Sequence, residues 1–371
     1  MAKAFGIVNT SGNHIWVEGM QDYRPIGAFS FLGRYRIVDF PISNMSNSGI
    51  DRIQVFAGMN PRSLIEHVGS GRHYNINSKR GKLQILFTGH YSKNDIYNTD
   101  IAAFWENRDS IQKMHEEYVV IVPNHMIYCM DYNVLLKEHV KSGADVTLLY
   151  HSVKDANTNY LNCSFLNLNR QSGVLSLATN RGSEAKRDIF MDTYVMKKEL
   201  FLQLIEKARA LSSMYTLNQI VNLQCDELDV RGYKHEGYFA AITNFKSYFD
   251  ANLSLIKYEK TKDLFNEEWP IYTRTNDSCP TQYYETSGVK QSVISNGCVI
   301  EGTIENSIIG RGCVIKKGAV IRNSLILPDS YIEEGIHVEN HVVGKHSKLI
   351  HCKELVADIE TPGYVRRGDT L

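Results

Sequence analysis

Residues 293–332 read VISNGCVIEGTIENSIIGRGCVIKKGAVIRNSLILPDSYI, and the six-residue period of this stretch decides the fold of the C-terminal region. Apolar residues recur at that spacing in two registers. They are Ile309, Ile315, Ile321 and Leu327 in the first, and Cys313, Ala319, Leu325 and Tyr331 in the second. In a left-handed parallel β-helix each flat side takes one six-residue repeat, so that every third repeat stacks like side chains. An antiparallel sheet with regular turns does not require this period. We therefore predict a left-handed β-helix over residues 292–371.

Upstream of that region, short apolar runs alternate with helical patterns. The runs 4–8, 53–57, 118–122 and 146–150 have strand length and are apolar on both faces, which is typical of buried parallel strands. This alternation predicts an α/β domain over residues 1–257, with a mixed, mainly parallel, Rossmann-like sheet. Residues 258–291 are less patterned and carry Pro270 and Pro280, so we predict a connecting segment there.

Composition excludes several classes of function. The 371 residues include 41 basic and 41 acidic side chains, so the chain lacks the global charge that would recruit a nucleic acid or an anionic membrane. The seven cysteines are widely spaced without a C-x-x-C pair, which indicates reduced thiols in the cytoplasm. The apolar run within residues 1–10 is too short for a signal sequence or a membrane span.

Four further segments carry the strongest motifs. They are FLGRYRIVDFP (31–41), NMSNSGI (44–50), MDY (130–132) and GYF (237–239). Together with the hexapeptides, they resemble the glucose-1-phosphate adenylyltransferase family, also called ADP-glucose pyrophosphorylase. The resemblance spans nearly the whole chain and implies a nucleotidyltransferase domain followed by a β-helix. It also implies a place in bacterial glycogen synthesis, where the family makes ADP-glucose and pyrophosphate from ATP and glucose 1-phosphate.

The family's metal-binding motifs depart from their pattern here. The family's G-D-H-I-Y-x-M-D-Y reads NHMIYCMDY over residues 124–132, with Asn124 for glycine and His125 for aspartate. Its G-Y-W-x-D-V-G-T reads GYFAAITN over residues 237–244, with Ala241 in the aspartate's place. Because Mg²⁺ requires hard oxygen ligands, these residues predict no metal site and no cofactor in this chain. We expect Mg²⁺ only in a catalytic partner.

The family's phosphate-binding motifs also depart from their pattern. The glycine-rich G-G-x-G-x-R-L becomes IVNTSGNH over residues 7–14, without the paired glycines and the arginine. The G-T-A-x-A loop becomes Thr99-Asp100-Ile101-Ala102-Ala103, and the lysine of E-K-P has no counterpart near residues 178–182. A K-P-A lysine is missing too, unless Arg24-Pro25 replaces it after a two-residue shift.

These departures predict a catalytically deficient subunit that resembles the family's GlgD type. The resemblance implies a regulatory chain that pairs with a homologous catalytic chain, as a heterotetramer with two chains of each kind. Two alternatives stay open. One is an active enzyme with relocated ligands, such as Asp100 and Asp131, and the other is a stand-alone scaffold that senses sugar phosphates. Alone, the chain could also form a homo-oligomer.

Two sets of charged residues remain. Arg34 and Arg36, together with Arg366 and Arg367, are candidates for binding a phosphorylated-sugar effector, and the alternative is a solvated surface charge run. Asp39 lies within the motif at residues 31–41, and we expect it to join Arg34 or Arg36 in a structural network.

Overall fold

The computed structural model describes residues 2–9, 15–77, 79, 81–89 and 97–371. Within these ranges the N-terminal region contains thirteen strands. They are β1 (Ala4–Asn9), β2 (Ser30–Phe31), β3 (Tyr35–Arg36), β4 (Arg52–Ala57), β5 (Lys82–Phe87), β6 (Tyr118–Pro123), β7 (Met126–Tyr128), β8 (Val146–Val153), β9 (Ser164–Leu168), β10 (Val174–Thr179), β11 (Arg187–Lys197), β12 (Val230–Lys234) and β13 (Phe239–Ala241). All four predicted buried strands are present.

The described residues also form nine α-helices. They are α1 (Asp39–Asn47), α2 (Arg62–Val68), α3 (Asp100–Glu106), α4 (Arg108–Gln112), α5 (Tyr132–Ser142), α6 (Lys198–Leu211), α7 (Leu217–Leu223), α8 (Phe245–Ser254) and α9 (Tyr258–Leu264). Short 3-10 helices occupy Ile26–Ala28 and Arg72–Tyr74. In the part of the chain described here, no helix is both long and apolar enough to cross a membrane.

A mixed sheet organises the N-terminal region. Its main path runs β10-β9-β11-β6-β1-β4-β5, and β8 joins through β11 and carries β12. From the recorded pairings, all strands of this sheet except β10 and β11 point the same way. The predicted mainly parallel α/β sheet is therefore confirmed.

Alternation along the central strands builds an apolar core on each face of the sheet. In β6, Val120 and Val122 pack into one core cluster, whereas Val119 and Ile121 pack into the other. Successive side chains of a strand point to opposite faces, so an uninterrupted apolar run serves both cores. The apolar strands are thereby fixed in the centre of the domain, and polar side chains gather at their ends.

The C-terminal region is a left-handed parallel β-helix, as the period predicted. Its strands are β14 (Gln282–Tyr283), β15 (Gly288–Lys290), β16 (Val293–Ile294), β17 (Val299–Ile300), β18 (Thr303–Glu305), β19 (Ile308–Ile309), β20 (Val314–Ile315), β21 (Val320–Arg322), β22 (Leu325–Ile326), β23 (Tyr331–Ile332), β24 (His337–Glu339), β25 (His341–Val343), β26 (Lys348–Leu349), β27 (Glu354–Val356) and β28 (Gly363–Val365). They form three parallel five-stranded sheets. The first two strands lie within the segment that the sequence assigns to the connection.

Stacked side chains stabilise the β-helix. Ile300, Ile315 and Ile332 align in register along one sheet and are fully buried. One corner is a ladder of asparagines in left-handed backbone conformation, where the Nδ2 of Asn306 donates to the Oδ1 of Asn323 at 2.7 Å. Asparagine tolerates this conformation better than most residues, which explains its recurrence at the corner.

The two regions share one apolar core. Phe31 and Phe40 belong to the same buried cluster as Ile308, Leu325 and Val342 of the β-helix. The hairpin of β2 and β3 thus packs against the flank of the β-helix. We call this contact region the junction.

Candidate functional site

A polar cavity lies where strands of the sheet end. It has a volume of about 290 Å³. Its described lining consists of Asn9, Ile15, Asp100, Pro123, His125, Asn162, Cys163, Ser164, Leu177, Ala178, Thr179, Asp192, Tyr194, Met214, Thr216, Asn218, Gln219 and Asn222. The carboxyl ends of parallel strands are the usual place for ligands in open α/β sheets. We call this space the sheet-edge cavity.

Local strand pairing brings the segments of His125 and Ala241 together. Ala241 pairs with Met126 across β13 and β7, and the amide of Ile242 donates to the carbonyl of His125 at 2.8 Å. Both side chains are buried. The neighbouring Asn124 is also buried, beside Gly27. The residues at the family's two aspartate positions are therefore neighbours, and neither is a carboxylate.

His125 is a neutral side chain in this environment. Burial lowers its pKa to about 3, so the imidazole carries no charge near neutral pH. Its Nε2 lies 3.5 Å from the Oδ2 of Asp192. Asp192 occupies a bulge of β11 with φ of 44°.

The cavity also contains Asp100, at the start of α3. The Thr99 side chain caps this helix by accepting from the Ala102 amide at 3.2 Å, and Asp100 accepts from the amides of Ile101 and Leu217. Burial nevertheless raises the pKa of Asp100 to about 7. The pKa of Asp192 also rises to about 7, through desolvation and then through the charge of Asp100. The cavity therefore contains two buried carboxyl groups whose ionisation is unfavourable.

These residues do not fit a magnesium site. Across the described ranges, Asp100, His125 and Asp192 do not bring ligand atoms within 4.8 Å of one another as a set. Asp131 is not among the described residues that line the cavity. Its side chain instead caps α5 by accepting from the amide of Asn133. Asp100 and Asp131 thus do not form the relocated pair that the sequence left open.

The described lining of the sheet-edge cavity also offers no cation that would bind a phosphate group. Its described lining includes neither lysine nor arginine, and Ala178 and Thr179 line it where the family's lysine motif was sought. Arg181 is exposed and donates to the Oδ1 of Asn162 at 2.8 Å. Residues 10–14 of the altered glycine-rich segment lie outside the described residues.

A second polar region lies at the junction, where the two regions of the chain contribute cations. Arg24 and Arg36 come from the sheet domain, and Lys345 and Arg367 come from the β-helix. Arg24 is buried, and its pKa is lowered by desolvation and then by the charge of Arg367. Desolvation and then Arg24 lower the pKa of Arg36 to about 10. We call these four residues the basic cluster.

Carboxylates lie near the basic cluster, since the charge of Asp39 acts on Arg36 and that of Glu66 acts on Arg367, but few of them form ion pairs with it. Lys345 lies 3.4 Å from Asp329, and desolvation lowers its pKa. In the described parts of the chain, Arg24, Arg36 and Arg367 form no ion pair with a carboxylate within 4.0 Å. Arg36 is held instead by its Nη1 donating to the carbonyl of Ala28 and the hydroxyl of Ser30. Fixed, desolvated cations of this kind favour an anion.

The structure thus divides the four arginines singled out from the sequence. Arg36 and Arg367 join the basic cluster, and Arg366 lies beside it; both Arg366 and Arg367 are exposed. Arg34 instead lines a separate cavity of about 690 Å³ with Arg311. Sequence reasoning missed Lys345 as a member of the cluster, and no local motif marks it, because Arg24 and Arg36, the arginines that it joins, lie more than 300 positions away.

Asp39 belongs to a structural network, but through different atoms from those expected. Its Oδ2 accepts from the backbone amide of Arg36 at 2.8 Å, not from a guanidinium group. Its Oδ1 accepts from the hydroxyl of Tyr74 at 2.6 Å and lies 2.7 Å from the Nε2 of His67.

Comparison with known proteins agrees with this architecture. Residues 23–257, more than half of the chain, match the family model described as nucleotidyl transferase. Residues 280–361 match the model described as GlmU-like, C-terminal hexapeptide. The fold therefore defines a nucleotidyl transferase domain followed by a hexapeptide β-helix.

Comparison with individual relatives identifies the family within this class of proteins. The chain is 30% identical over 309 residues to the glucose-1-phosphate adenylyltransferase of Clostridioides difficile (strain 630), covering 81% of this chain and 79% of the relative. It is 28% identical over 324 residues to the enzyme of the same name from Bacillus mycoides (strain KBAB4), with 85% of each chain covered. It is 25% identical over 366 residues to the glycogen biosynthesis protein GlgD of Bacillus subtilis (strain 168), covering 99% and 96%. The chain belongs to the glucose-1-phosphate adenylyltransferase family.

Proposed function

We propose that this chain is a catalytically deficient regulatory subunit of a glucose-1-phosphate adenylyltransferase complex in bacterial glycogen biosynthesis. The observation that carries the proposal is the presence of His125 and Ala241 at the two aspartate positions of the family motifs, on adjoining segments where Ala241 pairs with Met126 and the amide of Ile242 donates to the carbonyl of His125. A neutral imidazole and a methyl group supply neither charge nor hard oxygen to Mg²⁺. Without the metal, the charge on the leaving pyrophosphate loses its main stabilisation.

The electrostatics of the sheet-edge cavity support the same conclusion. Triphosphate and sugar phosphate carry negative charge, whereas the charged groups of the described lining are Asp100 and Asp192. Ionisation of either carboxyl would repel the phosphates. We therefore expect no cofactor in this chain, with Mg²⁺ bound only by the catalytic partner.

Regulation would act through the junction. A silent subunit changes its partner's rate only by binding the partner's active and inactive states with different free energies. Arg36 belongs to the sheet domain and Arg367 to the β-helix, so a phosphorylated sugar bound to the basic cluster would bridge both. This bridging gives the effector a physical means of altering the surface that the subunit presents.

Similarity over almost the full length of GlgD supports a partnership, since that relative is named a glycogen biosynthesis protein and not an adenylyltransferase. We propose a cytoplasmic heterotetramer with two chains of each kind.

The test is pyrophosphate release from ATP, glucose 1-phosphate and Mg²⁺ by the full chain alone, by a homologous catalytic chain, and by their mixture. We expect no release by this chain alone, a complex on size-exclusion chromatography, and a changed rate and effector response in the mixture. Release at ordinary rates by the isolated chain would instead support the active enzyme with relocated ligands. Failure to form a complex would support the stand-alone sensor.

A matched control shows which of the two chains is responsible for the turnover of the mixture. The catalytic chain is inactivated by replacing one of its metal-binding carboxylates and is then mixed with this chain. We expect the complex to form and turnover to be absent. Turnover in that mixture would locate a working site on this chain and would contradict the proposal.

A further inference from the structure

We propose that Asp39, His67 and His73 form a binding site for a first-row divalent transition metal, for which Zn²⁺ is the probe. The three residues come from α1, α2 and the 3-10 helix at 72–74, and one ligand atom from each lies within 4.8 Å of the others. The site is separate from the sheet-edge cavity, and the inference does not rest on the proposed regulatory function.

The carboxylate of this site is already oriented. Asp39 is fully buried, its Oδ2 accepts from the amide of Arg36, and its Oδ1 accepts from the hydroxyl of Tyr74. Metal-binding carboxylates are characteristically held by such outer hydrogen bonds, which fix their orientation before the ion arrives. Asp39 therefore needs little rearrangement to bind an ion.

The first imidazole is in contact with that carboxylate. The Nε2 of His67 lies 2.7 Å from the Oδ1 of Asp39, and 11% of the His67 side chain is exposed. A metal ion would replace the proton shared by these two atoms. In a tetrahedral site the ligand atoms are about 3.3 Å apart, given metal–ligand bonds of about 2.0–2.1 Å. The pair would thus separate only slightly.

The second imidazole supplies the independent observation. The Nε2 of His73 is buried, yet it has no hydrogen-bond partner among the described residues. A buried polar atom without a partner is unfavourable, and a bond to a metal would satisfy it. The His73 ring is placed by packing on Tyr74, with ring centroids 4.1 Å apart. The side chain without a partner thus completes the ligand set.

The donor set selects the class of metal. Two imidazoles and one carboxylate suit Zn²⁺, Co²⁺, Ni²⁺ or Fe²⁺, whereas Mg²⁺ and Ca²⁺ favour oxygen ligands. A water molecule would complete the coordination. Because Asp39 also holds the amide of Arg36, the ion would tie α2 and the 3-10 helix to β3.

The test is calorimetric titration of the chelator-treated full chain with Zn²⁺. We expect one ion per chain, and at least a 10-fold loss of affinity in His73→Phe, which retains an aromatic ring on Tyr74 but removes the nitrogen ligand. His346→Ala is the matched control, because it removes a half-exposed histidine of the β-helix. This control should bind like the unmodified chain. Equal affinity in His73→Phe, or no stoichiometric binding by the unmodified chain, would overturn the site.

A spectroscopic measurement keeps the inference testable if His73→Phe does not fold. Pulsed electron paramagnetic resonance of the unmodified chain loaded with one equivalent of Cu²⁺ counts the imidazoles bound to the ion. Two imidazoles are expected. One or none would overturn the site.

Discussion

The sheet-edge cavity and the basic cluster are both desolvated polar regions, but they carry opposite charges. In the cavity, burial raises the pKa of Asp100 and of Asp192 to about 7. In the cluster, burial and mutual repulsion lower the pKa of Arg24 and of Arg36. A bound anion would reduce the repulsion between the cations of the basic cluster, whereas in the sheet-edge cavity it would add repulsion to that between the two carboxyl groups. We therefore propose that phosphate recognition occurs at the junction and not at the edge of the sheet.

The two regions also differ in how the chain builds them. The described lining of the cavity comes from the N-terminal region alone, whereas the basic cluster needs both regions. Variants can therefore damage one while leaving the other intact.

The largest effect is expected from Phe31→Ala, which removes a fully buried ring from the junction. Loss of a buried aromatic side chain costs about 3–5 kcal/mol of unfolding free energy. Urea denaturation measures this loss. Val356→Ala is the control, because that strand residue is 52% exposed and its removal should change stability by less than about 0.5 kcal/mol. Equal effects of the two substitutions would mean that the shared core does not hold the regions together.

Charge reversal in the basic cluster is expected to have the next largest effect. Arg367→Glu should weaken binding of a hexose bisphosphate by about 10- to 100-fold, or about 1.4–2.7 kcal/mol. The difference should shrink as salt is added, because Arg367 is exposed. Titration calorimetry at two salt concentrations measures both. Arg366→Glu makes the same charge change on the neighbouring exposed residue, and equal losses would argue against a specific cluster.

Asp100→Asn should change the pH dependence of stability. Because the pKa of Asp100 is about 7 in the folded chain and about 3.9 in an unfolded one, the folded state binds more protons between these values. The contribution of Asp100 therefore makes stability fall as pH rises from 4 to 7. The variant lacks this loss. The difference in unfolding free energy between the variant and the unmodified chain should therefore favour the variant by about 1–3 kcal/mol more at pH 8 than at pH 4. Chemical denaturation at both pH values measures the difference, and a constant difference would show that Asp100 titrates normally.

The smallest change is expected from restoring both motif carboxylates, His125→Asp with Ala241→Asp. Turnover should stay undetectable, because the lysine of the family's sugar-phosphate motif has no counterpart at Ala178 and Thr179. The carboxylate introduced at position 125 would also face Asp100 and Asp192 in the sheet-edge cavity. Pyrophosphate release by the double variant is the measurement. Substantial turnover would show that the metal ligands were the only deficiency.

The sequence predicted the fold well because periodicity reports directly on burial. Ile309, Ile315 and Ile321 recur every six residues and are all fully buried. The proximity of the His125 and Ala241 segments is a finding of the structure, through the pairing of β7 with β13. The predicted domain boundaries at residues 257 and 291 stay predictions.

The basic cluster could be anticipated only in part. Arg36 was a candidate as part of the motif at residues 31–41 and Arg367 as part of an arginine pair near the C-terminus, but nothing local distinguished Arg367 from Arg366. Lys345 joins them through tertiary packing, and His73 acquires its neighbours through the turn that follows α2. Such convergence depends on contacts between distant segments, which periodicity and spacing do not report.

The shared core has a consequence for synthesis on the ribosome. Phe31 and Phe40 emerge early, whereas Ile308, Leu325 and Val342 are translated more than 260 residues later. At a typical rate of about 5–20 residues per second, the N-terminal partners wait roughly 13–50 seconds for these side chains. During that interval the nascent chain exposes apolar surface that chaperones bind. Completion of the β-helix thus also ends the period in which the sheet domain is prone to aggregate.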